Sequence, residues 1–451
     1  MLAENFRGTQ IDDARLFRLH EANAVDEAVE ALNQKSSELH FDSNNGCFAY
    51  ETVRLDLICI RRYLPLGQVC RKLRITIDWL RPSAYDRQRY EPSRKTVKTN
   101  DHGDPDSMHR RALLATLASF GTAWAAPVGS ALDRPAVAVQ SPSRSVFLGA
   151  ALAGARWVAV GERGLVVLSD DAGRSWKQAQ VPVSVTLTAV AFADDRHGFA
   201  TGHGGTVLAT EDGGSTWAHR LDGRAIAALV QQDAMRGSDA NLQKAAQRLV
   251  ADGPDKPLLD LIVASPSEVF VAGAFGLALN TIDGGKTWSL RSGQLDNPGN
   301  LHLYAARRRG RAVAIAGEQG LLLWSDDAGA SFHRVAVPYQ GSFFALELPG
   351  PKEIVLAGMR GNVWHSTDAG GSWHQVRVPS PAAITGSALR PDGGYVLASQ
   401  AGQLLAGAGD SLAALQVPPL PPLTGVVPVS GQALLALSVE GVHLVSINKS
   451  N

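Results

Sequence analysis

Aspartates in a repeated eight-residue motif are the residues of this sequence best placed to do chemistry. The motif reads Ser/Thr-x-Asp-x-Gly-x-Ser/Thr-Trp and occurs five times between residues 169 and 373. Its aspartates are Asp171, Asp212, Asp283, Asp327 and Asp368. Two opposed carboxylates could serve as the acid and the base of a glycosidase. We favour a structural role, because an Asp two residues before a Gly can accept hydrogen bonds from amides of its own turn, while the Gly supplies a positive φ.

Each copy of the motif ends in an aromatic residue that is expected to return the chain into a sheet. These residues are Trp176, Trp217, Trp288, Phe332 and Trp373, so the fourth copy has Phe where the others have Trp. Burial of about 150–250 Å² of aromatic surface at about 25 cal/mol per Å² corresponds to roughly 4–6 kcal/mol of gross stabilisation for each copy. The aromatic residue therefore dominates the energetics, and the Asp fixes the turn that places it.

A second landmark extends the repeat beyond the five motifs. A glycine-ended turn between two apolar stretches occurs at Gly164, Gly205, Gly276, Gly320, Gly361, Gly402 and Gly441. The spacing is close to forty residues, except for 71 residues between the second and third turns. A period near forty with about four short strands per unit is typical of a β-propeller. We therefore predict an all-β, seven-bladed propeller with a small helical insertion, at about residues 222–252, between blades 2 and 3.

The same pattern makes predictions for the insertion and for the closing of the ring. Apolar residues at helical spacing in 222–236 and 238–252 predict a pair of helices, with Ser238 or Asp239 as a candidate N-cap. The last unit ends one strand short after Val445. We predict that Pro135–Gln140 pairs with the last blade and removes its free edge.

Two surfaces are candidates for a partner. The turns that link the second and third strands of the blades should share one face with the helical insertion. That face is predicted to display Arg163, His203, Phe275, Glu318, Met359, Arg360 and Glu440. The second candidate is a basic patch of Arg307, Arg308, Arg309 and Arg311, predicted to lie in the first turn of blade 4 on the opposite face. Such a patch could meet acidic loops or anionic lipid head groups, or it could be a solvated surface.

Residues 108–125 have the pattern of a secretory signal peptide. Arg110 and Arg111 precede a short apolar stretch, and Ala123 and Ala125 form an A-x-A cleavage site. We therefore expect a periplasmic or otherwise exported protein whose translation starts at Met108, with the propeller at residues 126–451. Residues 1–107 are then upstream sequence that is spurious or poorly ordered; the alternative is a small N-terminal domain fused to the propeller.

Composition and missing motifs narrow the function. The formal net charge is zero, which argues against a nucleic-acid partner. The sequence contains no run of eighteen or more apolar residues and therefore predicts no transmembrane helix. The sequence contains no phosphate loop, zinc-ligand pattern or nucleophile elbow. We therefore predict no cofactor and no metal, and we expect no enzymatic activity.

The motif copies at Val158–Trp176 and Phe199–Trp217 resemble Asp-box (BNR) propellers, in particular the family of the photosystem II stability and assembly factor and its bacterial relatives. The resemblance covers about Val146–Ile447. It implies a lumenal or periplasmic, non-enzymatic scaffold that binds an envelope or integral membrane protein, and we expect it to be a monomer. A photosynthetic partner does not follow from it. The alternative is a carbohydrate-active propeller, a glycosidase or a lectin, although the arginine triad, Tyr–Glu pair and F/Y-R-I-P element of a sialidase are not recognisable.

Overall fold

The computed structural model describes residues 129–236 and 253–447, together with residues 243, 246, 247, 250 and 251. Within them, strands form seven antiparallel sheets, six with four strands and one with three. The strands of each sheet follow one another in chain order, so every sheet is one blade of a propeller. The predicted fold class is therefore confirmed. Residues 1–107 and the predicted signal peptide lie outside the described residues.

The bounds of the strands are as follows. Blade 1 contains β1 (Phe147–Ala153), β2 (Arg156–Gly161), β3 (Val166–Ser169) and β4 (Lys177–Gln178), and blade 2 contains β5 (Leu187–Phe192), β6 (Gly198–Gly202), β7 (Val207–Thr210) and β8 (Ala218–Leu221). Blade 3 contains β9 (Leu258–Val263), β10 (Val269–Gly273), β11 (Ala278–Thr281) and β12 (Ser289–Leu290), and blade 4 contains β13 (Leu303–Arg309), β14 (Ala312–Gly317), β15 (Leu322–Ser325) and β16 (His333–Arg334). Blade 5 contains β17 (Phe343–Glu347), β18 (Ile354–Gly358), β19 (Val363–Ser366) and β20 (His374–Val376). Blade 6 contains β21 (Ile384–Leu389), β22 (Tyr395–Ser399), β23 (Leu404–Ala408) and β24 (Ser411–Ala414), and blade 7 contains β25 (Leu423–Ser430), β26 (Ala433–Ser438) and β27 (Gly441–Ser446).

The core lies between blades rather than within one of them. Seven clusters of buried apolar side chains each join one blade to the next, from blades 1 and 2 round to blades 7 and 1. The cluster that closes the ring includes Phe147 and Trp157 of blade 1 with Leu435 and Leu437 of blade 7. A blade cannot bury both of its faces alone, so the closed ring is the stable unit.

The predicted closure strand is wrong. Residues 135–139 form no strand and lie beside blade 1, where Ala136 N–H donates to Val181 O over 3.0 Å and Gln178 Nε2 donates to Val137 O over 3.0 Å. Blade 7 keeps three strands in the order β25-β26-β27. Packing of blades 1 and 7, together with the hydrogen bond that the Thr424 hydroxyl donates to Phe147 O, closes the ring without a borrowed strand.

The insertion between blades 2 and 3 begins with helix α1 (Gly223–Arg236). Asp222 caps it, because Asp222 Oδ1 accepts the backbone N–H groups of Arg224 and Ala225 at 2.9 and 3.0 Å. Ile226 is buried and joins the cluster between blades 2 and 3. Part of 243–251 is also helical, whereas the candidate N-caps Ser238 and Asp239 lie outside the described residues.

Candidate partner-binding face

The turns between the second and third strands build one face of the propeller, hereafter the channel face. In four of them a non-glycine residue has a left-handed φ: Arg163 at 54°, Phe275 at 56°, Gln319 at 52° and Arg360 at 57°. Such a φ is uncommon for residues with a side chain. In the blade 1 turn, Leu165 N–H donates to Glu162 O over 2.9 Å and Gly161 N–H donates to Leu165 O over 3.0 Å. These two bonds hold the strained residue between them and leave its side chain exposed.

Glycines bring each turn onto the start of its own blade. A Cβ on Gly161 would lie 1.9 Å from Val146 O, and the next amide, Glu162 N–H, donates to that same oxygen over 3.1 Å. His203, Glu318 and Met359 make the corresponding backbone bonds in their blades. Glycine occupies this contact in blades 1 to 5, whereas Ser399 and Ser438 take its place in blades 6 and 7. The glycines counted from the sequence lie three residues further on, where Gly164 has a φ of 73° and a Cβ would lie 2.1 Å from Val183 O.

Six of the seven side chains predicted on this face are exposed: Arg163, His203, Phe275, Met359, Arg360 and Glu440. Glu318 is half-buried, and its Oε2 accepts the His302 backbone N–H over 3.2 Å. Glu318 therefore braces the turn against the innermost strand. At blade 2, Leu132 and the first residues of α1 cover Gly204 and Gly205. His203 therefore lies at the edge of the part of the channel face that is covered by the chain itself.

A row of aromatic rings crosses blades 3 to 5 on this face and was not predicted. Successive centroids lie 4.8 Å apart from Phe275 to His302, 6.0 Å from His302 to Tyr304, and 5.2 Å from Tyr304 to Phe344, all edge-to-face. Phe275 is 53% exposed, and Lys256 Nζ lies 5.3 Å from its ring centroid. Burial raises the pKa of Tyr304, and the nearby Glu318 charge adds to that shift.

The aromatic row depends on an irregularity that recurs at the start of the innermost strands. Tyr304 and Phe344 each follow the first residue of their strand, where the register of pairing shifts. Such a bulge re-aims a side chain. In blades 2 and 6 the same position holds Thr188 and Thr385, whose hydroxyls donate to carbonyls of the next blade at 2.7 and 2.8 Å. The alignment of repeats could have revealed this exchange of Thr for aromatic residues.

Ion pairs link innermost strands inside the channel. Arg307 Nη1 lies 2.7 Å from Asp260 Oδ2, and Arg307 Nε lies 3.4 Å from Glu347 Oε1. Ser387 Oγ donates to the same Glu347 oxygen over 2.8 Å. Burial raises the pKa of Glu347 against the opposing effect of Arg307. Burial acts to lower the pKa of Arg307, but the charges of Asp260 and Glu347 outweigh it and raise the pKa. The guanidinium of Arg307 therefore forms ion pairs with both carboxylates.

The predicted position of the basic patch is wrong for three of its four residues. Arg307, Arg308 and Arg309 belong to strand β13, and only Arg311 lies in the turn that follows it. Arg307 faces the channel. Arg308 pairs with Glu268 over 3.0 Å, and Arg309 Nη1 donates to Leu348 O over 3.1 Å. The tip of the hairpin is Gly310, at φ 61°, so β13 extends further than the run of arginines suggested.

The five motif turns lie on the other face, hereafter the box face. Asp171 Oδ1 accepts the Ser175 N–H over 2.9 Å and Asp171 Oδ2 accepts the Ser175 hydroxyl over 2.6 Å, while Ser169 Oγ accepts the Gly173 N–H over 2.8 Å. The other four motifs repeat these bonds. Hydrogen bonds lower the pKa to about 2 at Asp171, Asp283 and Asp368, and the largest contribution comes from the Ser or Thr hydroxyl at the seventh position of the motif. The same bonds lower the pKa at Asp327, and at Asp212 they outweigh an opposing effect of burial.

The motif aromatics pack into the clusters between their own blade and the preceding one. Trp217 and Trp288 are buried, whereas Trp176, Phe332 and Trp373 are half-buried. Trp217 Nε1 donates to Gly214 O over 2.9 Å, and Trp373 Nε1 donates to Ala336 O over 3.0 Å. Each motif therefore joins two blades. In the described part of the chain, no helix is both long and apolar enough to cross a membrane.

Part of this chain is similar in sequence to two curated proteins. Photosystem II assembly lipoprotein Ycf48 of Synechocystis sp. (strain ATCC 27184 / PCC 6803 / Kazusa) is 42% identical over 69 residues, which are 15% of this chain and 18% of that protein. The protein of the same name from Synechococcus sp. (strain CC9902) is 32% identical over 97 residues, 22% of this chain and 27% of that protein. The chain thus spans little more than a quarter of these curated relatives.

Solved structures show the same fold. A structure of YCF48 bound to D1 peptide is 14% identical with a TM-score of 0.50 and covers 70% of this chain and 100% of that chain. YCF48 from Cyanidioschyzon merolae is 16% identical with a TM-score of 0.50 and covers 69% and 98%. The family model described as photosynthesis system II assembly factor YCF48 matches residues 156–236 and 240–407, more than half of the chain. The chain therefore belongs to the photosynthesis system II assembly factor YCF48 family.

Proposed function

We propose that this protein is a non-enzymatic scaffold whose channel face binds a segment of a membrane or envelope protein and assists its assembly. The observation that carries the proposal is the row of exposed side chains held at left-handed φ, among them Arg163, Phe275 and Arg360, beside the aromatic row of blades 3 to 5. Such a backbone conformation persists only where the surrounding structure fixes it, so each turn holds its exposed side chain in one place. Exposed aromatic and arginine side chains are also the types that dominate protein interfaces.

The relatives support a membrane-protein partner without naming it. Two of them are called photosystem II assembly lipoproteins, and one solved YCF48 is bound to a D1 peptide. The matched stretches cover only part of those proteins, so the partner of this chain is defined here by chemistry. It is an extended segment with apolar residues for the aromatic row and acidic residues for Arg163 and Arg360.

The carbohydrate-active alternative is less well supported by the same geometry. A glycosidase requires one carboxyl group that holds a proton and a second that is free to act as base or nucleophile. The channel carboxylates Asp260 and Glu347 both contact Arg307. The motif aspartates at positions 171, 283 and 368 have pKa values of about 2, which disfavours proton donation at neutral pH.

Export is part of the proposal. The two curated relatives are lipoproteins by name, and residues 108–125 have the three parts of a signal peptide. We place the mature protein outside the cytoplasm, where it meets the exported segments of membrane proteins.

Site-specific photocrosslinking in cells tests the binding face. Benzoylphenylalanine is placed at Phe275 or Met359 on the channel face, with Val137 as the control, because Val137 is 70% exposed and lies beside the outer strand of blade 1. We expect light-dependent adducts with an integral membrane or envelope protein from positions 275 and 359 and none from position 137. Equal adducts from all three positions, or adducts from 137 alone, would contradict the proposal.

A further inference from the structure

A small cavity on the box face lies between blades 3 and 4. Its volume is about 190 Å³, and its apolar wall is formed by Ile262 and Phe270 of blade 3 and by Val313 and Phe332 of blade 4. Pockets for drug-sized ligands have volumes of about 300–1,000 Å³. This cavity is therefore suited to a single side chain rather than to a cofactor or an oligosaccharide.

The cavity lies where the repeat departs from its own pattern. Blade 4 has Phe332 at the motif position that holds Trp in the other four motifs. The residue that precedes the motif varies between blades, and it is Asn280 in blade 3 where blades 1, 2, 4 and 5 have Leu168, Ala209, Trp324 and His365. Leu168 and Trp324 are buried in the clusters between blades. At the junction of blades 3 and 4, the smaller Phe332 thus replaces a motif Trp, and Asn280 stands where two other blades have a large buried apolar side chain.

Asn280 lines the cavity but offers no acceptor to a ligand, because its Oδ1 is inaccessible to solvent. The surface that a ligand can contact is therefore the apolar wall and the charged rim.

The rim of the cavity has a net positive charge. Arg291 and Arg308 line it together with a single carboxylate, Glu268. Arg308 pairs with Glu268 over 3.0 Å, and Arg291 Nη2 donates to the motif carbonyl Gly329 O over 2.8 Å. Arg309 and Arg311 lie in the same hairpin of blade 4. These charges favour an acidic partner.

We propose that this cavity is a second protein-binding site, which takes an aromatic side chain from an acidic segment of a partner. The ring packs against Phe270 and Phe332. A carboxylate beside it in the partner meets Arg291 or Arg308. The site goes beyond the function proposed for the channel face, because it lies on the opposite face.

Binding of short peptides to the propeller tests the site. The probe is the tripeptide acetyl-Glu-Trp-Asp-amide, carrying 5-fluorotryptophan for detection by ¹⁹F NMR. Unlabelled control peptides, with the central residue replaced by Ala or with both acids replaced by Lys, are measured together with the unlabelled parent by their displacement of the fluorinated peptide. We expect saturable binding of the acidic Trp peptide and affinities at least about tenfold weaker for both controls, the range of a hot-spot side chain or a close charge pair. Absence of binding at millimolar peptide, or equal binding of all three peptides, would overturn the proposal.

A variant locates the site. Phe332→Trp restores the motif and fills the cavity, so affinity should fall at least about tenfold while the melting temperature is kept or raised. Unchanged affinity in Phe332→Trp would show that the peptide binds elsewhere. Phe275→Ser alters only the channel face and should leave this affinity unchanged, which separates the two proposals.

Discussion

At the scale of single residues, the motif aspartates stabilise their turns more strongly when they are ionised. Asp171, Asp283 and Asp368 have pKa values of about 2, against 3.8 for an ordinary Asp. A carboxyl group whose pKa is depressed by folding contributes stability above its unfolded pKa and loses it as pH falls through the folded pKa. The melting temperature should therefore be steady from pH 7 to about 5 and should fall steeply between about pH 4 and 2.

Substitution of one motif aspartate separates its share of this effect. Asp368→Asn keeps the shape of the side chain but cannot ionise, so its melting temperature should be lower at pH 7 and should fall less between pH 4 and 2. Asp195→Asn, an exposed carboxylate in a hairpin turn of blade 2, serves as the control and should follow the wild type. If Asp368→Asn and the wild type lost stability in parallel, hydrogen bonding to the ionised carboxylate would not be the source of the effect.

At the scale of elements, the ring is closed by the packing of blades 1 and 7. Leu437 is 1% exposed in that junction, so Leu437→Ala should cost about 2–5 kcal/mol of unfolding free energy. Val137 is 70% exposed in the segment that the sequence had suggested as a closing strand, so Val137→Asp should change stability by less than about 0.5 kcal/mol. Urea unfolding measures both. A large loss in Val137→Asp with a small loss in Leu437→Ala would restore the model of a borrowed strand.

The features that could be predicted from the sequence are those that repeat from blade to blade. Glycines such as Gly164 recur in all seven blades because each blade makes the same turn, and motif residues such as Asp171 recur in the first five because those blades share the same carboxylate bonds. The number of blades and the face that carries each turn followed from that period. Apolar residues 135–139 had no counterpart in the repeat to align with. Instead of pairing with the last blade as a strand, they form backbone and side-chain hydrogen bonds with blade 1.

The candidate sites were harder to predict because they consist of departures from the repeat. Arg307 reads as part of a basic run, yet its partners Asp260 and Glu347 are 47 and 40 residues away. Phe275, Tyr304 and Phe344 lie in three blades and meet only when the ring closes. Adjacency between blades depends on three-dimensional packing, so a single sequence could suggest exposed positions but not which of them come together.

At the scale of the whole molecule, the unusual features gather on one side of the ring. The aromatic row, the channel ion pairs and the cavity with Asn280 all involve blades 3 to 5. Helix α1 and Leu132 cover the channel face at blade 2, next to this side. A partner that binds at blades 3 to 5 could therefore reach both proposed sites by passing around the outer edge of the ring. The remaining blades complete the closed core.

The proposed export concerns the whole chain. If residues 108–125 are a signal peptide that is cleaved after Ala125, the mature protein begins near Ala126 and is recovered outside the cytoplasm. Intact mass and N-terminal sequencing after cell fractionation measure this. Replacing Ala123 and Ala125 with Arg should block cleavage and leave a heavier precursor at the membrane. A cytoplasmic protein that retains residues before Met108, unaffected by these replacements, would contradict export and direct the search for the partner to the inside of the cell.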